Sequence, residues 1–501
     1  MVDAQRATIA FLSDPVSYGP GVGGVERHET HISFVFLAGE RAYKLKRAVK
    51  FPYLDFSTVK HRRQACEAEL RLNRRTAPEL YLEVRSIVRR ADGALAWGER
   101  GDIVDWVVVM RRFGQEQLLE AVTRSGRLDS RLLYALAVHI ADFHADAERR
   151  PDHGGAKAMR AIVEENDACL RATRGARLPE RQIRELREQS EEWLKRLGGL
   201  LDRRRRQGKI RRGHGDLHLR NICVLDGKPL LFDCLEFSEE FASIDVLYDL
   251  AFLLMDLEHL GHRAAANLVF NRYLDLTGED DGLAAMPLFL SLRAAIRAHV
   301  TATTGGEAEA QRYLGDACAA LCTPSPRLIA IGGLSGTGKS TIAAALAPEL
   351  GARPGARVLR SDVIRKRLFG LDPESRLPGA AYSRDVTERV YKALCDGAAL
   401  ALRAGYCAII DSVALKEEER RSFAEIARHA GAAFTGLWLE APPDALLARV
   451  GARKQDASDA TREIVERQLL IDPGPLDWQR LDAGRGEVQT LQTVRAALGL
   501  T

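Results

Sequence analysis

The stretch Leu328–Thr341, LIAIGGLSGTGKST, constrains this chain more than any other. An apolar run leads into a glycine-rich turn that fits G-x-x-x-x-G-K-[ST], and a helix-forming run, IAAALAPEL, lies directly behind it. That order reads as strand, loop and helix, so the residues from Leu328 onward are expected to form an α/β domain with a parallel sheet. Gly333, Gly336 and Gly338, with Ser335 and Thr337 between them, let successive backbone N–H groups point inward around phosphate oxygens. The helix start at Lys339, Ser340 and Thr341 adds a favourable potential for anions. Lys339 sets a point charge on the β- and γ-phosphates of a nucleoside triphosphate, and the Ser340 hydroxyl is a ligand for Mg²⁺. Further on, CAIID (407–411) reads as an apolar strand ending in a carboxylate. Asp411 there either holds Mg²⁺ through water or caps the next helix.

Arg360-Ser-Asp362-Val-Ile-Arg365 lies 23 residues after Lys339, at the expected end of the next strand. At these residues the C-terminal half resembles the small-molecule P-loop kinases, a group that includes gluconate-type, shikimate-type, polynucleotide and zeta-toxin kinases. The resemblance implies Asp362 as general base and Arg365 as a contact to acceptor or phosphate. The plain alternative is that Asp362 opens a helix as its N-cap. GLWLEAPPDALLARVGARK (436–454) reads as strand, turn and helix, with Arg449 and Arg453 four residues apart on one face. In the resembled group this segment is a lid whose arginines neutralise the transferring phosphoryl group; otherwise it is an exposed basic face. No second-region arginine or sensor signature of ring-forming ATPases is present, which favours a kinase over a mechanical motor.

The N-terminal half carries His214-Gly-Asp216-Leu-His218-Leu-Arg220-Asn221, followed by LLFDCLEF (230–237). An Asp and an Asn five apart on one loop suit two tasks, orienting an acceptor hydroxyl and ligating Mg²⁺. Asp233, 17 residues after Asp216 at the end of an apolar strand, supplies a second metal carboxylate. Phosphoryl transfer calls for this set because its catalysis is mostly positioning and charge neutralisation. Here the chain resembles the aminoglycoside phosphotransferase family, through HGDLH–RN and FDCLEF, over residues from about 25 to about 320. The resemblance implies a protein-kinase-like α+β fold, with a small β lobe and a helical lobe, and ATP and Mg²⁺ as cofactors. It also implies that Asp249, in DVLYDLAFLL (245–254), braces the catalytic loop, with His214 and His218 as further braces.

The phosphate-anchoring lysine of that family is expected in RAYKLKR, where Lys44 fits A-x-K and Lys46 shares its face. Its helix partner is Glu69 or Glu67. Cys234 and Leu235 stand where protein kinases carry Phe and Gly, so activation-loop switching is not implied. Gly19-Pro-Gly21-Val-Gly-Gly24 fits G-x-G-x-x-G without a helix behind it, as a phosphate cover or a surface turn. THISFVFLAGERAYKLK and FPYLDFST are similar to a bacterial subgroup in which the same two domains are fused.

A chain of 501 residues is expected to form two or three domains. The break falls at CTPSPR (322–327), giving modules at 1–322 and 327–501. Before it, 31–39 and 41–49 read as a hairpin, 57–75 as a helix capped by Ser57, 102–110 as a buried strand, and 128–205 as helices. The net charge of +4 is small for this length, so nucleic acid is not expected as a partner. The run Arg203–Arg206 reads as a solvated helix end. The eight cysteines lack paired metal-ligand spacing and read as free thiols in a reducing compartment. No signal peptide is read, and no apolar run approaches the roughly 20 residues of a membrane span. A cytoplasmic phosphotransferase with two kinase sites is expected, acting on a hydroxyl of a small molecule. The rival readings make one half a nucleotide sensor, or send the C-terminal half to nucleotide sugars or RNA ends. Nothing in the sequence sets an oligomeric state.

Overall fold

The structure, a computed structural model, describes residues 5–51, 54–98, 100–173, 178–451 and 458–500. The chain forms two compact units, Met1–Gly154 with Arg204–Leu253, and Gly155–Arg203 with Leu254–Thr501.

The first unit is built on a six-stranded antiparallel sheet. Its spatial order is Val25–Glu29, Ser33–Ala38, Arg41–Lys46, Asp102–Arg111, Tyr81–Arg89 and Leu95–Trp97. The expected hairpin is present: Ala38 pairs with Arg41, and Gly39 takes φ +55° in the turn between them. Alternation along the strands then divides the side chains between two cores. Phe34, Phe36, Tyr43, Leu45, Val107 and Val109 fill one. Ala42, Val108 and Met110 meet Cys66 and Tyr81 in the other. Lys44 and Lys46 share the face of Ala42, on the side covered by the helix Val59–Asn73. That helix begins later than the sequence suggests. Thr58 is its N-cap and accepts from the His61 N–H, whereas Ser57 gives its own N–H to Asp55 Oδ1.

Gly19–Gly24 precedes the first strand, and the turn of the first hairpin lies instead at residues 30–32. Arg204 departs from the expected solvated run. It is fully buried and grips Asp245 with two nitrogens, at 2.8 and 2.9 Å.

The second unit contains a five-stranded sheet in the order Arg357–Arg360, Ala408–Asp411, Arg327–Gly332, Ala433–Glu440, Gln479–Asp482, parallel throughout. Ile329, Ile331, Ile409, Leu437 and Leu439 pack against Ile342 and Leu346 of the helix Lys339–Leu346, with Val494 and Leu498 completing the core. Gly332, Arg360, Asp411 and Glu440 end their strands along one edge, where parallel sheets bind ligands. The same unit includes the helices Arg263–Thr277, Met286–Thr303 and Glu307–Leu321. Arg357, fully buried on the outer strand, reaches Asp280 and Asp275 at 2.7 Å each and Asn271 at 3.2 Å.

One segment differs from the expected absence of a span-length apolar run. By length and composition, Glu279–Thr303 is apolar enough to cross a membrane; its most apolar 18-residue stretch has a mean hydropathy of 1.3 and is 72% buried inside the molecule, the setting of a core helix.

Candidate active sites

In the first unit the loop His214–Asn221 is hung from Asp249. The Asp249 carboxylate accepts from the backbone N–H of His214 at 2.7 Å and of Gly215 at 3.0 Å, and faces His144 Nε2 at 3.2 Å. The His214 ring continues the brace, with Nδ1 3.3 Å from the Asp216 backbone nitrogen and Nε2 2.9 Å from the Phe232 carbonyl. Half-buried Asp216 is thereby held with its carboxylate against the Asn221 amide nitrogen at 3.0 Å and His218 Nε2 at 3.3 Å. Asn221 is carried beside Asp233 because its carbonyl accepts from the Phe232 N–H at 2.9 Å, as the hairpin Ile222–Leu225/Lys228–Leu231 begins.

Asp233 adopts φ +62°, a strained conformation for a residue with a side chain. Its N–H donates to the Tyr81 hydroxyl at 3.1 Å, and the next N–H, of Cys234, donates to Asn73 Oδ1 at 2.8 Å. Lys44 Nζ lies 2.8 Å from Glu69 and 2.5 Å from Asp233. Lys46 reaches Glu69 at 2.5 Å on its other oxygen, and also Glu236, but lies fully buried and makes no ion pair with Asp233. Of the two lysines, therefore, Lys44 is the one joined to the aspartate. Glu67 is exposed and pairs with Arg63.

Burial works against all four of these buried charges. For Lys44 the fields of Asp233 and Glu69 outweigh burial and hold its pKa well above normal. For Glu69 the two lysines outweigh it and bring the carboxyl down to about 2. Burial prevails at Glu236, whose pKa is raised.

In the second unit the loop after Arg327–Gly332 requires its glycines. Gly333 takes φ +132°, and a Cβ there would meet the Leu439 carbonyl oxygen at 2.4 Å; Gly336, at φ +92°, would meet Leu446 O at 2.8 Å. Lys339 Nζ donates to the carbonyls of Gly333 and Leu334, at 2.8 and 2.9 Å. The Ser335 N–H donates to Gln468 Oε1 at 2.9 Å, so a carboxamide oxygen sits where a phosphate oxygen would accept. Thr337 Oγ1 donates to Leu334 O at 2.9 Å, and Thr341 is exposed. Ser340 Oγ donates to Asp411 Oδ2 at 2.6 Å, with Arg360 Nε 3.4 Å from the same oxygen.

Asp362 lies inside the first turn of the helix Ser361–Leu368, whose N-cap is Arg360, so it does not cap that helix. Burial raises its carboxyl pKa and Asp411 adds to this, against a hydrogen bond from Ser458. Arg365 is buried over the Tyr382 ring and donates to Ala381 O at 2.8 Å. Half-buried Arg449 donates to Ala483 O at 2.9 Å and to Gly336 O at 3.4 Å, beside the loop. Arg453 lies outside the described residues.

The structure adds residues that the sequence did not single out. Tyr81 and Asn73 hold the backbone at Asp233 and Cys234, and Glu236 pairs with Lys46. Asp459 accepts from Tyr382 Oη at 3.0 Å and from the Leu377 N–H at 3.2 Å. Asn73 was within reach of sequence reasoning, since it lies four residues after Glu69 on one helix face. The others depend on tertiary approach. Among the described residues no group of three His, Cys, Asp or Glu side chains is arranged to hold a metal alone. The oxygen donors Asn221 and Asp233, and Ser340 and Asp411, nevertheless suit Mg²⁺, which takes few protein ligands and completes its shell with phosphates and water.

A kinase-like lobe with a paired lysine, glutamate and aspartate, followed by a phosphate loop on a parallel sheet, defines the class: a kinase made of two different modules. The comparisons agree. The phosphotransferase enzyme family model matches residues 35–289, and an AAA domain model matches 328–470. The chain belongs to the phosphotransferase enzyme family and is an ATP-dependent kinase.

It is 31% identical over 453 residues to the uncharacterized protein Rv2004c of Mycobacterium tuberculosis, covering 88% of each chain. The uncharacterized protein Mb2027c of Mycobacterium bovis matches to the same extent. Among solved structures, aminoglycoside 2'-phosphotransferase-IIIa in its GDP complex is 14% identical, with a TM-score of 0.40, over 63% of this chain and 99% of that one. A gluconokinase from Sinorhizobium meliloti 1021 is 21% identical, with a TM-score of 0.26, over 35% of this chain and 93% of that one.

Proposed function

We propose that each of two modules, 1–322 and 327–501, transfers the γ-phosphoryl group of ATP to a hydroxyl of a small metabolite, with Mg²⁺. Kinase families generally use this pair. The observation that carries the reading is the buried ammonium of Lys44 set between Glu69 and Asp233. It gathers a phosphate anchor, its positioning glutamate and a metal-type carboxylate in one place.

In the first module Asp216 accepts the proton of the acceptor hydroxyl as its oxygen bonds to phosphorus and the bond to the leaving diphosphate breaks. Asn221 and His218, at 3.0 and 3.3 Å, aim the Asp216 carboxylate. Asn221 and Asp233 would hold Mg²⁺, and Lys44 steadies the phosphates. When bound, the metal neutralises charge on the phosphate oxygens. In the second module the loop Gly333–Thr341 cradles the triphosphate, Lys339 and Ser340 engage its β and γ groups, and Asp411 would share the metal with Ser340. Asp362 serves as base, Arg365 contacts the acceptor side, and Arg449 with Arg453 closes over the γ-phosphate. The eight free cysteines support a reducing, cytoplasmic setting. Nucleic acid is not part of the reading.

The test uses labelled ATP and a pooled metabolite extract, with the phosphorylated species identified by mass spectrometry. Asp216→Ala and Lys339→Ala should each remove a distinct share of the transfer. If either variant leaves the labelled products unchanged, the reading of two working sites fails.

A further inference from the structure

A cavity of about 630 Å³ in the first unit shares no lining residue with the site of Lys44, Asp216, Asn221 and Asp233. Its walls carry Arg71, Arg75, Arg150 and Arg212, and also Asp142, Asp146, Glu148 and Glu239. We propose that this cavity binds a phosphorylated polyol, its phosphate on the guanidinium wall and its hydroxyls on the two aspartates.

The charges are equal in number but unequally satisfied. Arg212 is only 2% exposed; its Nη2 donates to Leu235 O at 2.9 Å, while Nε and Nη1 make no hydrogen bond. Its carboxylate neighbour among the described residues, Glu239, is 3.2 Å from Nε and is shared with Arg150, which holds it at 2.7 Å. Arg75 brings a third guanidinium to the same wall, donating through Nη1 to the Arg212 carbonyl at 2.8 Å and lying over Phe143. Burial, with Arg75 and Arg150 close by, lowers the Arg212 pKa in spite of Glu239. A guanidinium does not shed its proton in a protein, so the missing partner is an anion. Phosphate suits several forked donors better than a single carboxylate does.

Asp142 and Asp146 lie four apart on the helix Ser130–Asp146 and make no ion pair among the described residues, leaving their oxygens able to accept from a pair of hydroxyls. Arg71 is exposed beside them. Burial lowers the pKa of the nearby His139, and its Nε2 faces the Thr76 carbonyl at 3.1 Å. The volume lies within the range of small-molecule sites.

The inference is independent of which acceptor the kinase sites use. Its test is calorimetry on the full chain, with Mg²⁺ and a non-hydrolysable ATP analogue first saturating the nucleotide pockets. Glucose 6-phosphate, inorganic phosphate and glucose serve as probes. Glucose 6-phosphate should bind, phosphate more weakly, and glucose not at all. Arg150→Ala and Asp146→Ala should each weaken glucose 6-phosphate about tenfold or more, with the affinity for the ATP analogue unchanged. Should Arg150→Ala not fold, the exposed Arg71→Ala takes its place. No binding of glucose 6-phosphate to the native chain, or equal binding by the variants, overturns the proposal. Binding that inorganic phosphate matches and Asp146→Ala leaves intact overturns the polyol part and leaves a plain anion site.

Discussion

At the scale of residues, Lys44 and Lys46 show how two identical side chains on one strand face come to differ. Lys44 touches Asp233; Lys46 is sealed between Glu69 and Glu236. Lys44→Met is therefore expected to keep the fold and to lower kcat by about 10²–10³ in transfer through the first module. Lys46→Met strands the buried Glu236 and leaves Glu69 with one lysine in place of two, and should cost about 3–5 kcal/mol of stability, read by urea unfolding. If Lys46→Met is as stable as the native chain while Lys44→Met unfolds, the assignment is reversed.

The acid limb of stability carries a sign of its own. Glu69 is depressed to about 2 from 4.5, so its contribution is present above about pH 4.5 and is lost as pH falls toward 2. Glu69→Gln should flatten that limb in melting temperature against pH. Asp362 moves the other way: its pKa is raised, so a base role requires higher pH than an ordinary aspartate would. In an Asp216→Ala chain, which isolates the second module, the acid limb of kcat should fall at a pH above the usual aspartate range. A limb at the ordinary aspartate value would remove Asp362 from the role of base.

At the scale of elements, the phosphate loop depends on backbone that only glycine accepts. Gly333→Ala would place a methyl 2.4 Å from the Leu439 carbonyl, at φ +132°. Since the obstacle is backbone of the neighbouring strand, the loop has to move. Nucleotide affinity of the second module should drop by about tenfold or more in fluorescence titration, with the first module unaffected. The elements themselves were largely legible, because alternation in 31–49 and the apolar runs at 328–333 and 407–411 follow from local periodicity. The cap of the helix Val59–Asn73 was not. Ser57 and Thr58 are equivalent in propensity, and the contact of Ser57 with Asp55 decides between them. Arg204 was misread for a related reason: a run of four arginines looks solvated until the segment bearing Asp245 closes on it.

At the scale of the whole molecule, the break expected at 322–327 rests on a change of pattern along the chain. The packing of the second unit nevertheless draws in helices from before it. Arg357 spends its donors on Asp280, Asp275 and Asn271, and Asn267 Nδ2 donates to the Ala356 carbonyl at 3.1 Å. A fragment of residues 327–501 would leave that guanidinium without its carboxylates on an opened face. It is expected to melt well below the full chain. Equal melting temperatures for fragment and full chain would show that the earlier helices contribute nothing to this unit.

The amino-acid sequence alone determined the two fold classes, because both are written in short local patterns: a glycine loop between strand and helix, and an Asp and Asn five apart on a loop. Such patterns depend on backbone geometry and nearby side chains, so they are legible without knowledge of distant contacts. Only the tertiary structure decided which lysine meets Asp233, that Glu236 and Tyr81 surround it, and that Arg204 and Arg357 are buried. Each of those outcomes turns on which charges are removed from water together, and residues far apart in the chain settle that only when they pack.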